Sequence, residues 1–350
     1  MIMKIIGLMS GTSLDGLDVA LCSFEEKNGQ MQFAIEQAYT YDYSKDWKIR
    51  LQSAVSLSGE ELTNLDADYG YYLADCVLDF IQKFDCQEVD YIASHGHTVF
   101  HQPQNNFTLQ IGSGAHIFAK TQIPVIADFR TQDVAMGGQG APLVPIGDKL
   151  LFSDFDYCLN LGGFSNVSFE KDGQRIAFDI VAVNIVLNKL AEQEGFAYDN
   201  AGEMGRKGKL LPHLLEQLNN LPYYKQTAPK SLGYEWVEKE IFPLLDMQQN
   251  SIADLMATMY EHIAIQIGSV LKGASKKVLV TGGGAYNTFL MEKIKEYASA
   301  NITQADDLII SYKEALIFAF LGYLKIQHKN NVLASVTGAA KDHIAGIIYS

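Results

Sequence analysis

Three short glycine-containing loops are the parts of the sequence best suited to hold a phosphate group. They are Gly11-Thr12-Ser13, Gly162-Gly163 and Gly282-Gly283-Gly284. Glycine has no Cβ and adopts positive φ readily, so such loops can turn backbone N–H groups toward an anion at close range. The third loop follows an apolar run and precedes a helical pattern that starts near 286, where a helix N-terminus could hold a phosphate or a nucleoside. Together the loops favour nucleotide binding.

The glycine spacing argues against two common nucleotide-binding motifs. The chain contains no G-x-x-x-x-G-K-[ST] segment and no G-x-G-x-x-G segment after a strand pattern. These spacings carry the phosphate chemistry of P-loop and Rossmann proteins respectively. The P-loop and Rossmann interpretations therefore lose their main support.

A histidine cluster raises the alternative of a zinc site. His95, His97 and His101 have the spacing H-x-H-x-x-x-H, and alternate residues of a strand share one face. No cysteine or carboxylate accompanies them to orient the imidazoles, which zinc sites normally require. We therefore expect no metal bound by the protein's own side chains here.

The elements that must position these residues alternate between strands and helices. Short β-branched or apolar runs predict strands near 3–8, 17–24, 32–41, 90–94, 123–127, 155–161, 165–170, 175–180 and 277–281. Apolar residues at three- and four-residue steps predict helices over 60–83, 113–121, 183–194, 252–271, 286–299 and 312–327. The helix over 252–271 is the clearest and is expected to lie in the core. This alternation predicts an α/β architecture.

Two segments of the chain resemble each other. Residues 6–16 and 159–167 both read as strand, tight turn of small residues, strand, and they lie about 150 residues apart. A Gly-rich hairpin alone is common, but two at matching places predict a duplicated domain with a ligand held in a cleft between facing hairpins. The similarity of these two segments places the boundary between the two domains at 125–150.

Charge and composition narrow the function classes. The 350 residues include 41 Asp and Glu against 27 Lys and Arg, a net charge of −14. Acidic chains seldom bind nucleic acid, because that binding depends on neutralising phosphates. Hydrophobic residues make up 48% and charged residues 19%, as expected of a globular protein rather than a disordered one.

Cysteine spacing and hydropathy indicate a cytoplasmic protein. Cys22, Cys76, Cys86 and Cys158 show no C-x-x-C spacing, so we expect buried thiols rather than disulfides or a zinc knuckle. No apolar run approaches the ~18 residues of a membrane span, and the opening residues lack the basic region of an export signal. We expect no membrane association.

The opening segment Gly7-Leu8-Met9-Ser10-Gly11-Thr12-Ser13-Leu14-Asp15-Gly16-Leu17-Asp18 closely resembles the signature of anhydro-N-acetylmuramic acid kinases. Further matching segments run nearly end to end: Ser94-His95-Gly96, 126–130, 137–145, 159–163, 228–231, 280–287, Glu314-Ala315, Phe318-Ala319 and 335–339. The resemblance implies two duplicated actin/hexokinase-like (ribonuclease H-like) domains around a central cleft. We place them at 1–135, with 312–350 able to pack back on the first, and at 136–350.

The resemblance also implies a reaction, in which the kinase cleaves 1,6-anhydro-N-acetylmuramic acid and phosphorylates O6 with ATP and Mg²⁺, in cell-wall recycling. Water attacks the anomeric carbon, so a carboxylate base is needed, and Asp179 matches the family's base. The residues implied to contact the sugar are His97, Thr98, Asp128, Arg130 and Glu314. Those implied to contact the nucleotide are Gly11, Thr12, Ser13, Asp15, Gly16, Asp18, Asn160, Gly162, Gly163, Gly282, Gly283, Gly284 and Asn287.

Ordinary structural roles are open for several of these side chains. Arg130 could form a buried ion pair with Asp128 or Asp133, and Glu314 could lie on a solvated helix face. Asp179 could cap the helix that starts near 183. The resemblance favours the functional roles, in which the planar Arg130 guanidinium binds a carboxylate or sugar oxygen and His97 is a neutral donor to the sugar.

The chain departs from the family near the base. Ile180-Val181-Ala182-Val183-Asn184 stands where the family has Thr-Gly-Pro-Gly-Asn, Asn188 replaces an Asp, Ala201-Gly202 stands where Asp-Gly is expected, and His97 replaces a Gln. β-Branched residues cannot replace glycine at positive φ, so this wall of the site is expected to be reshaped. An alternative is therefore an ATP-binding paralogue with changed sugar specificity or no catalysis, acting as a binding module. Tyr69, Tyr71 and Tyr72 could serve a homodimer face or the core.

Overall fold

The computed structural model describes residues 2–11, 14–86 and 88–350. Thr12 and Ser13, two of the residues predicted to bind nucleotide, lie outside the described residues. The chain forms two compact units, Met1–Leu151 with Tyr312–Ser350, and Phe152–Ser311. The first unit extends past the expected boundary because the helix over Val144–Leu151 packs within it, where Lys313 forms an ion pair with Asp148 at 2.7 Å. The assignment of 1–135 and 136–350 as two actin-like domains stays a prediction.

The first unit is built on a seven-stranded sheet. Its strands are β1 (Met3–Ser10), β2 (Gly16–Lys27), β3 (Gln30–Asp42), β4 (Tyr91–Gln102), β5 (Phe107–Ile111), β6 (Val125–Ala127) and β12 (Ile347–Tyr349). The order is β12-β6-β4-β1-β2-β3, and β5 pairs with β4. Strands β1, β2 and β3 form an antiparallel meander, whereas β4 is parallel to β1 and β6 is parallel to β4.

The second unit is built on a five-stranded sheet. Its strands are β7 (Tyr157–Leu161), β8 (Phe164–Lys171), β9 (Gln174–Ala182), β10 (Lys277–Thr281) and β11 (Asn301–Gln304). The order is β11-β10-β7-β8-β9. Strands β7, β8 and β9 form an antiparallel meander, β10 is parallel to β7 and β11 is parallel to β10.

The two sheets repeat one topology. In each, the first three strands form a meander and the next strand, β4 or β10, lies parallel to the first on its other side. A further strand, β6 or β11, lies parallel to β4 or β10. The first sheet adds β5, antiparallel to β4, and β12, antiparallel to β6. The two segments that resemble each other in sequence are the turns between β1 and β2 and between β7 and β8, which hold the same place in each sheet. The expected α/β class and its duplication are confirmed.

Helices follow the strands in both units. Those of the first unit are α1 (Lys45–Ser53), α2 (Gly59–Lys83), α3 (Gly114–Thr121), α4 (Thr131–Ala135), α5 (Val144–Leu151) and α13 (Ala334–Thr337). Those of the second are α6 (Asn184–Gln193), α7 (Glu203–Lys207), α8 (Pro212–Asn219), α9 (Tyr234–Trp236), α10 (Ile252–Val270) and α11 (Thr288–Tyr297), and α12 spans Asp307–Ile326. Shorter 3₁₀ and π turns connect them.

Helix α10 is the core helix of the second unit, as its periodicity predicts. Ser251 caps its N-terminus by accepting a hydrogen bond from the Asp254 N–H at 3.1 Å. Leu255, Met259 and Ile263, at four-residue steps, are fully buried in the apolar cluster of this unit. Helix α10 therefore forms the centre of the apolar cluster against which the other elements of the second unit pack.

Several sequence expectations about surface and thiols can be compared with the structure. All four cysteines are free and buried, as expected. Tyr69 is fully buried in the core, Tyr72 is half-buried, and Tyr71 is exposed. In the part of the chain that the structure describes, no helix combines the length and apolarity needed to cross a bilayer.

Candidate functional site

Asp179 is a half-buried carboxylate on β9 of the second unit. Its Oδ2 accepts a hydrogen bond from the Leu232 backbone N–H at 2.8 Å, and its backbone N–H donates to the Lys230 carbonyl at 3.2 Å. Burial raises the pKa of the Asp179 carboxyl, and the hydrogen bond from Leu232 partly opposes that shift. A carboxylate held in one orientation with a raised pKa is suited to accept a proton.

Sequence reasoning missed the residues that hold Asp179. The Tyr223 hydroxyl donates to the Asp179 carbonyl oxygen at 2.6 Å, and Lys230 Nζ lies 4.5 Å from the centroid of the Tyr223 ring. The segment 228–231, noted only as a family match, thus lies directly beside Asp179. The apolar residue Leu232 contributes only its backbone N–H, so its side-chain type gave no signal.

The alternative role of Asp179 as a helix cap is not what the structure shows. Helix α6 has Val183 at its N-cap position and no side-chain cap, while the Asp179 carboxylate accepts from Leu232. The helix terminus is instead joined to the β7–β8 turn, where the Val183 N–H donates to the Gly163 carbonyl at 2.8 Å and the Asn184 N–H donates to the Gly162 carbonyl at 3.3 Å.

The side chains of the divergent segment 180–183 lie in the core of the second unit, and the expectation that this segment reshapes a wall of the site stays a prediction. Ile180 is 3% exposed, and Val181, Ala182 and Val183 are fully buried in the apolar cluster of the second unit. Their β-branched side chains replace smaller residues by packing inward. The polar residues that follow them, Asn184 and Asn188, line a cavity.

That cavity lies within the second unit and has a volume of about 410 Å³. This volume falls in the range of roughly 300–1,000 Å³ seen for small-molecule sites. It is lined by Asn184, Leu187, Asn188, Tyr198, Asp199, Asn200, Ala201, Tyr260, Gly283, Gly284, Tyr286 and Asn287. The amide, hydroxyl and aromatic groups among them match the polar and apolar parts of a nucleoside.

Only one glycine of the third loop faces open space. A Cβ on Gly283 would meet no protein atom within 4 Å, so a side chain there would extend into the cavity. A Cβ on Gly282 would lie 2.5 Å from Asn160 Oδ1, and one on Gly284 would lie 2.8 Å from the Leu161 Cβ. Gly282 has φ +82°, which glycine adopts without strain. Gly282 and Gly284 are thus required for packing, and Gly283 is the residue free to approach a ligand.

The glycines of the β7–β8 turn are used within the protein. The Gly162 N–H donates to the Phe164 carbonyl at 3.2 Å, so that group is not turned toward an anion as the sequence suggested. A Cβ on Gly163 would approach Ile185 Cγ1 at 3.0 Å, where it must displace that side chain. This turn is shaped by its contacts with the start of α6.

Asn287 anchors the helix beside the cavity. Its Oδ1 accepts from the Leu290 N–H at 3.0 Å and so caps α11, and its Nδ2 donates to the Tyr260 hydroxyl at 2.7 Å. The Tyr260 hydroxyl donates to Asp199 Oδ2 at 3.0 Å, and Asp199 also accepts from the Gly205 N–H. The side chain of Asn287 therefore holds the cavity in shape.

The β1–β2 hairpin of the first unit carries the acidic part of the opening signature. Asp18 is half-buried and accepts a hydrogen bond from Thr40 Oγ1 at 2.6 Å, while Asp15 is exposed. Burial raises the pKa of Asp18; the Thr40 hydrogen bond lowers it and the nearby Asp15 charge raises it further. Gly16 is closely packed, because a Cβ there would lie 2.7 Å from the Tyr41 carbonyl oxygen, and the carbonyl of Gly11 accepts from Leu14.

Arg130 is held at two nitrogens by neutral acceptors of the first unit. Its Nε donates to His95 Nε2 at 3.0 Å, and its Nη1 donates to the Gly140 carbonyl at 2.6 Å. Gly140 is fixed in turn, because its N–H donates to the fully buried Asp133 carboxylate at 2.7 Å. Burial lowers the pKa of Arg130 to about 10, and the charges of Glu314 and Asp133 oppose that shift. The guanidinium is therefore positively charged at neutral pH and rigidly oriented.

The other residues predicted to contact the sugar are Glu314, Asp128 and Thr98, and the structure shows the environment of each. Glu314 lies on α12 and its side chain is exposed at the surface. Desolvation by the surrounding protein atoms raises the pKa of its carboxyl, and the Arg130 charge partly opposes this shift. Asp128 has φ +58° and accepts from the Thr131 N–H at 3.1 Å, so it shapes the start of α4. Thr98 is half-buried and accepts from Gln110 Nε2 at 3.4 Å.

The three histidines of β4 do not converge on a common point. His95 accepts from Arg130, the His97 Nδ1 bonds with the Ser10 hydroxyl at 3.0 Å, and the His101 Nδ1 bonds with the Thr108 hydroxyl at 3.1 Å. Across residues 2–11, 14–86 and 88–350, no group of three or more His, Cys, Asp and Glu side chains is arranged to hold a metal ion. Each histidine instead has its own hydrogen-bond partner.

The chain is similar along nearly its whole length to proteins of one kinase family. The model of the family described as anhydro-N-acetylmuramic acid kinase matches residues 3–350. Proteins named anhydro-N-acetylmuramic acid kinase from Sulfurovum sp. and Aliivibrio fischeri are 33% and 34% identical over 99% of this chain and 99% of their own lengths. Among solved structures, the activator of the 2-hydroxyisocaproyl-CoA dehydratase from Clostridium difficile with bound ADPNP aligns at a TM-score of 0.43 and 14% identity, over 93% of this chain and 97% of that chain. The match to the family over nearly every residue shows that the chain belongs to the anhydro-N-acetylmuramic acid kinase family, and it is a kinase.

Proposed function

We propose that this protein cleaves the 1,6-anhydro bond of 1,6-anhydro-N-acetylmuramic acid and phosphorylates O6 with ATP, as part of cell-wall recycling. Water adds to the anomeric carbon as the bond from that carbon to O6 breaks, and O6 takes the γ-phosphoryl group while ADP leaves. The products are N-acetylmuramic acid 6-phosphate and ADP. The water gives up one proton, so a base is required.

Asp179 is the residue we assign as that base, and its geometry is the observation that carries the proposal. The hydrogen bond from Leu232 engages Oδ2 and keeps the carboxylate in one orientation. Burial raises the pKa of Asp179, which strengthens the carboxylate as a base. The same carboxylate takes no part in capping α6, so helix capping does not compete with this role.

The sugar-binding role falls to residues of the first unit. Arg130 is charged and oriented by His95 and Gly140, and its planar guanidinium suits the carboxylate of a muramic acid. We assign sugar contacts to His97, Thr98 and Glu314 as well. Asp128 shapes the turn that precedes Arg130 through its hydrogen bond to Thr131.

The nucleotide-binding role of the second unit is supported by the cavity that Gly283 faces. A position where a Cβ would fill open space, beside amide and aromatic side chains, fits an adenosine. Mg²⁺ usually keeps several waters and is bound through phosphates and one or two carboxylates, so the absence of a three-ligand cluster among the described residues is compatible with it. Asp15 and Asp18 are the carboxylates we assign to it, where it would neutralise charge on the phosphates.

The match to the kinase family over residues 3–350 weighs against the paralogue alternative. The replaced residues 180–183 are buried in the core, so they alter packing rather than the groups presented to a ligand. Asn188 and Ala201, which line the cavity, and His97, which we assign to the sugar, are departures that remain beside ligand positions. We propose action in the cytoplasm on a small amino sugar, without nucleic acid or membrane partners, and the homodimer stays a prediction.

The direct test incubates the purified protein with Mg-ATP and a panel of anhydro and free amino sugars while ADP release is followed. We expect release that depends on 1,6-anhydro-N-acetylmuramic acid and a product whose mass fits N-acetylmuramic acid 6-phosphate. A reaction without sugar measures the background ATPase rate. Equal ADP release with and without every sugar of the panel would contradict the proposal.

A further inference from the structure

Four polar side chains form a buried hydrogen-bonded row in the first unit. The Tyr69 and Tyr43 hydroxyl oxygens are 2.5 Å apart, the Tyr43 hydroxyl is 2.7 Å from Ser10 Oγ, and Ser10 Oγ is 3.0 Å from His97 Nδ1. Tyr69 is fully buried, Ser10 is 2% exposed, and Tyr43 and His97 are 4% exposed. The row therefore begins in the core at α2 and ends at a histidine that we assign to the sugar.

The number of protons in the row fixes their direction. Three contacts join the four side chains, and the three hydroxyl groups supply three protons. If Tyr69 donates to Tyr43, Tyr43 to Ser10 and Ser10 to His97 Nδ1, every proton has an acceptor. A proton on His97 Nδ1 would add a fourth proton to three contacts and leave one without an acceptor.

A hydroxyl proton without an acceptor would cost the most free energy at the buried end of the row, at Tyr69. Among the described residues Tyr43 is the one whose hydroxyl lies at close hydrogen-bond distance from the Tyr69 hydroxyl, at 2.5 Å. Ser10 lies near enough to lower the pKa of the Tyr69 phenol, but its close contact, at 2.7 Å, is with Tyr43. The Tyr69 ring packs within the apolar cluster of the first unit. If His97 donated to Ser10, Ser10 to Tyr43 and Tyr43 to Tyr69, the phenol proton of Tyr69 would be buried without an acceptor. The protons therefore run from Tyr69 toward His97.

We propose that Tyr69, Tyr43 and Ser10 are positioning residues that keep neutral His97 in the tautomer with its proton on Nε2, so that Nε2 is a hydrogen-bond donor to an oxygen of the sugar. This rests on the proposed function for the identity of the ligand, but the tautomer is a property of the protein alone. Burial lowers the pKa of His97 to about 4, so the ring is neutral at pH 7. No described residue bonds with Nε2, which leaves that nitrogen for a ligand.

The buried Ser10 hydroxyl thereby influences which ligands His97 can bind. A neutral imidazole donates from one nitrogen and accepts at the other, so the opposite tautomer would present a lone pair to the same ligand oxygen. Such an encounter is repulsive. The row thus selects ligands with an acceptor oxygen opposite Nε2.

The first test needs no ligand. A ¹⁵N spectrum of the full-length protein labelled at histidine reports which ring nitrogen carries the proton, and the His97 signals are identified by their absence in His97→Gln. We expect a protonated Nε2 and an unprotonated Nδ1 at pH 7 in the wild type, and a mixture of tautomers in Ser10→Ala. A wild-type His97 with its proton on Nδ1 would overturn the proposal.

The second test is a double-substitution cycle on the KM for 1,6-anhydro-N-acetylmuramic acid. Ser10→Ala in the wild type should raise KM about five- to tenfold, as for the loss of one neutral hydrogen bond, with little change in kcat. A glutamine side chain donates whatever its neighbours do, so Ser10→Ala in a His97→Gln background should change KM less than twofold. Tyr43→Phe leaves the Ser10 hydroxyl in place and should have a smaller effect than Ser10→Ala.

The two tests separate the failure modes. Equal effects of Ser10→Ala in both backgrounds would show a merely structural serine and contradict the proposal. A protein with no activity on any sugar would contradict the proposed function, while the ¹⁵N spectrum would still decide the tautomer.

Discussion

The Leu232 backbone N–H donates a 2.8 Å hydrogen bond to Oδ2 of Asp179, 53 residues away in the chain. The donor is a backbone group, so the contact to this carboxylate oxygen is available with any residue at 232 except proline, which has no N–H. Burial around Asp179 raises its pKa, and the Leu232 bond limits the rise. The pair combines orientation with basicity, as a proton acceptor requires.

Asp179→Asn should nearly abolish turnover while ATP still binds. The amide keeps the shape and one acceptor oxygen for Leu232 but cannot take a proton, so we expect kcat to fall by about 10²–10⁴-fold. Because burial disfavours the ionised form, the variant should be at least as stable at pH 7 as the wild type. The measurements are coupled ADP release, calorimetry with an ATP analogue and a thermal melt.

The matched control for that substitution is Asp172→Asn. Asp172 is an exposed residue in the turn between β8 and β9 with φ +51°, which asparagine also adopts. It should keep wild-type kcat. Wild-type turnover in Asp179→Asn would remove Asp179 from the mechanism.

Gly283 and Gly284 should respond differently to an added side chain. Gly283→Val places its Cβ in the open space of the cavity, so we expect ATP affinity to be lost while the melting temperature is retained. Gly284→Ala forces a Cβ against Leu161, so it should lower the free energy of unfolding by about 1–3 kcal/mol. Calorimetry with an ATP analogue and urea unfolding distinguish the two, and unchanged ATP affinity in Gly283→Val would place the nucleotide elsewhere.

Arg130→Ala should weaken sugar binding and leave nucleotide affinity unchanged. The guanidinium is oriented by His95 and Gly140, and a lysine ammonium cannot reproduce that planar arrangement. We therefore expect Arg130→Lys to restore little of the sugar affinity, as measured by titration calorimetry with the anhydro sugar. Equal affinities of the arginine and lysine proteins would mean that only the charge matters at this position.

Acid should destabilise the second unit through His262. Its Nδ1 bonds with Asn219 Oδ1 at 2.7 Å and its Nε2 with the Tyr224 hydroxyl at 3.0 Å, and burial lowers its pKa to about 3. Below pH ~6.5 the His262 ring is protonated in the unfolded chain but stays neutral in the folded protein. The free energy of unfolding therefore falls by about 1.4 kcal/mol per pH unit down to pH ~3. The contribution is fully present above pH ~6.5.

Urea unfolding between pH 7.5 and 5 measures that slope. His262→Gln should reduce the slope by the share of one histidine, whereas His213→Gln, at an exposed position, should leave it unchanged. Identical slopes in all three proteins would show that His262 is not held neutral by the fold.

The positions of helices and hairpins could be predicted where their signals are local. The periodicity of α10 and the hairpins at 6–16 and 159–167 are written in neighbouring residues, and the structure confirms them. Strand β12 was missed because it is three residues long and pairs with β6, far away in the chain, so that tertiary contacts rather than local pattern define it.

The site could be predicted in its residue types but not in its geometry. The family motif identified Asp179, yet Tyr223 and Leu232 act through contacts across 44 and 53 residues that no local pattern reveals. Three adjacent glycines look alike in sequence, and only packing shows that Gly283 alone faces open space. The buried positions of 180–183 likewise depend on the orientation of the end of β9.

The fate of oxygen from water tests the central claim most directly. The wild-type protein is given Mg-ATP and 1,6-anhydro-N-acetylmuramic acid in ¹⁸O-labelled water, the reaction is quenched before ring opening exchanges the anomeric oxygen, and the products are analysed by mass spectrometry. With Asp179 activating water toward the anomeric carbon, the label appears at the anomeric position and the phosphate stays unlabelled. Label in inorganic phosphate, with none in the sugar, would mean that the protein only hydrolyses ATP and would contradict the account.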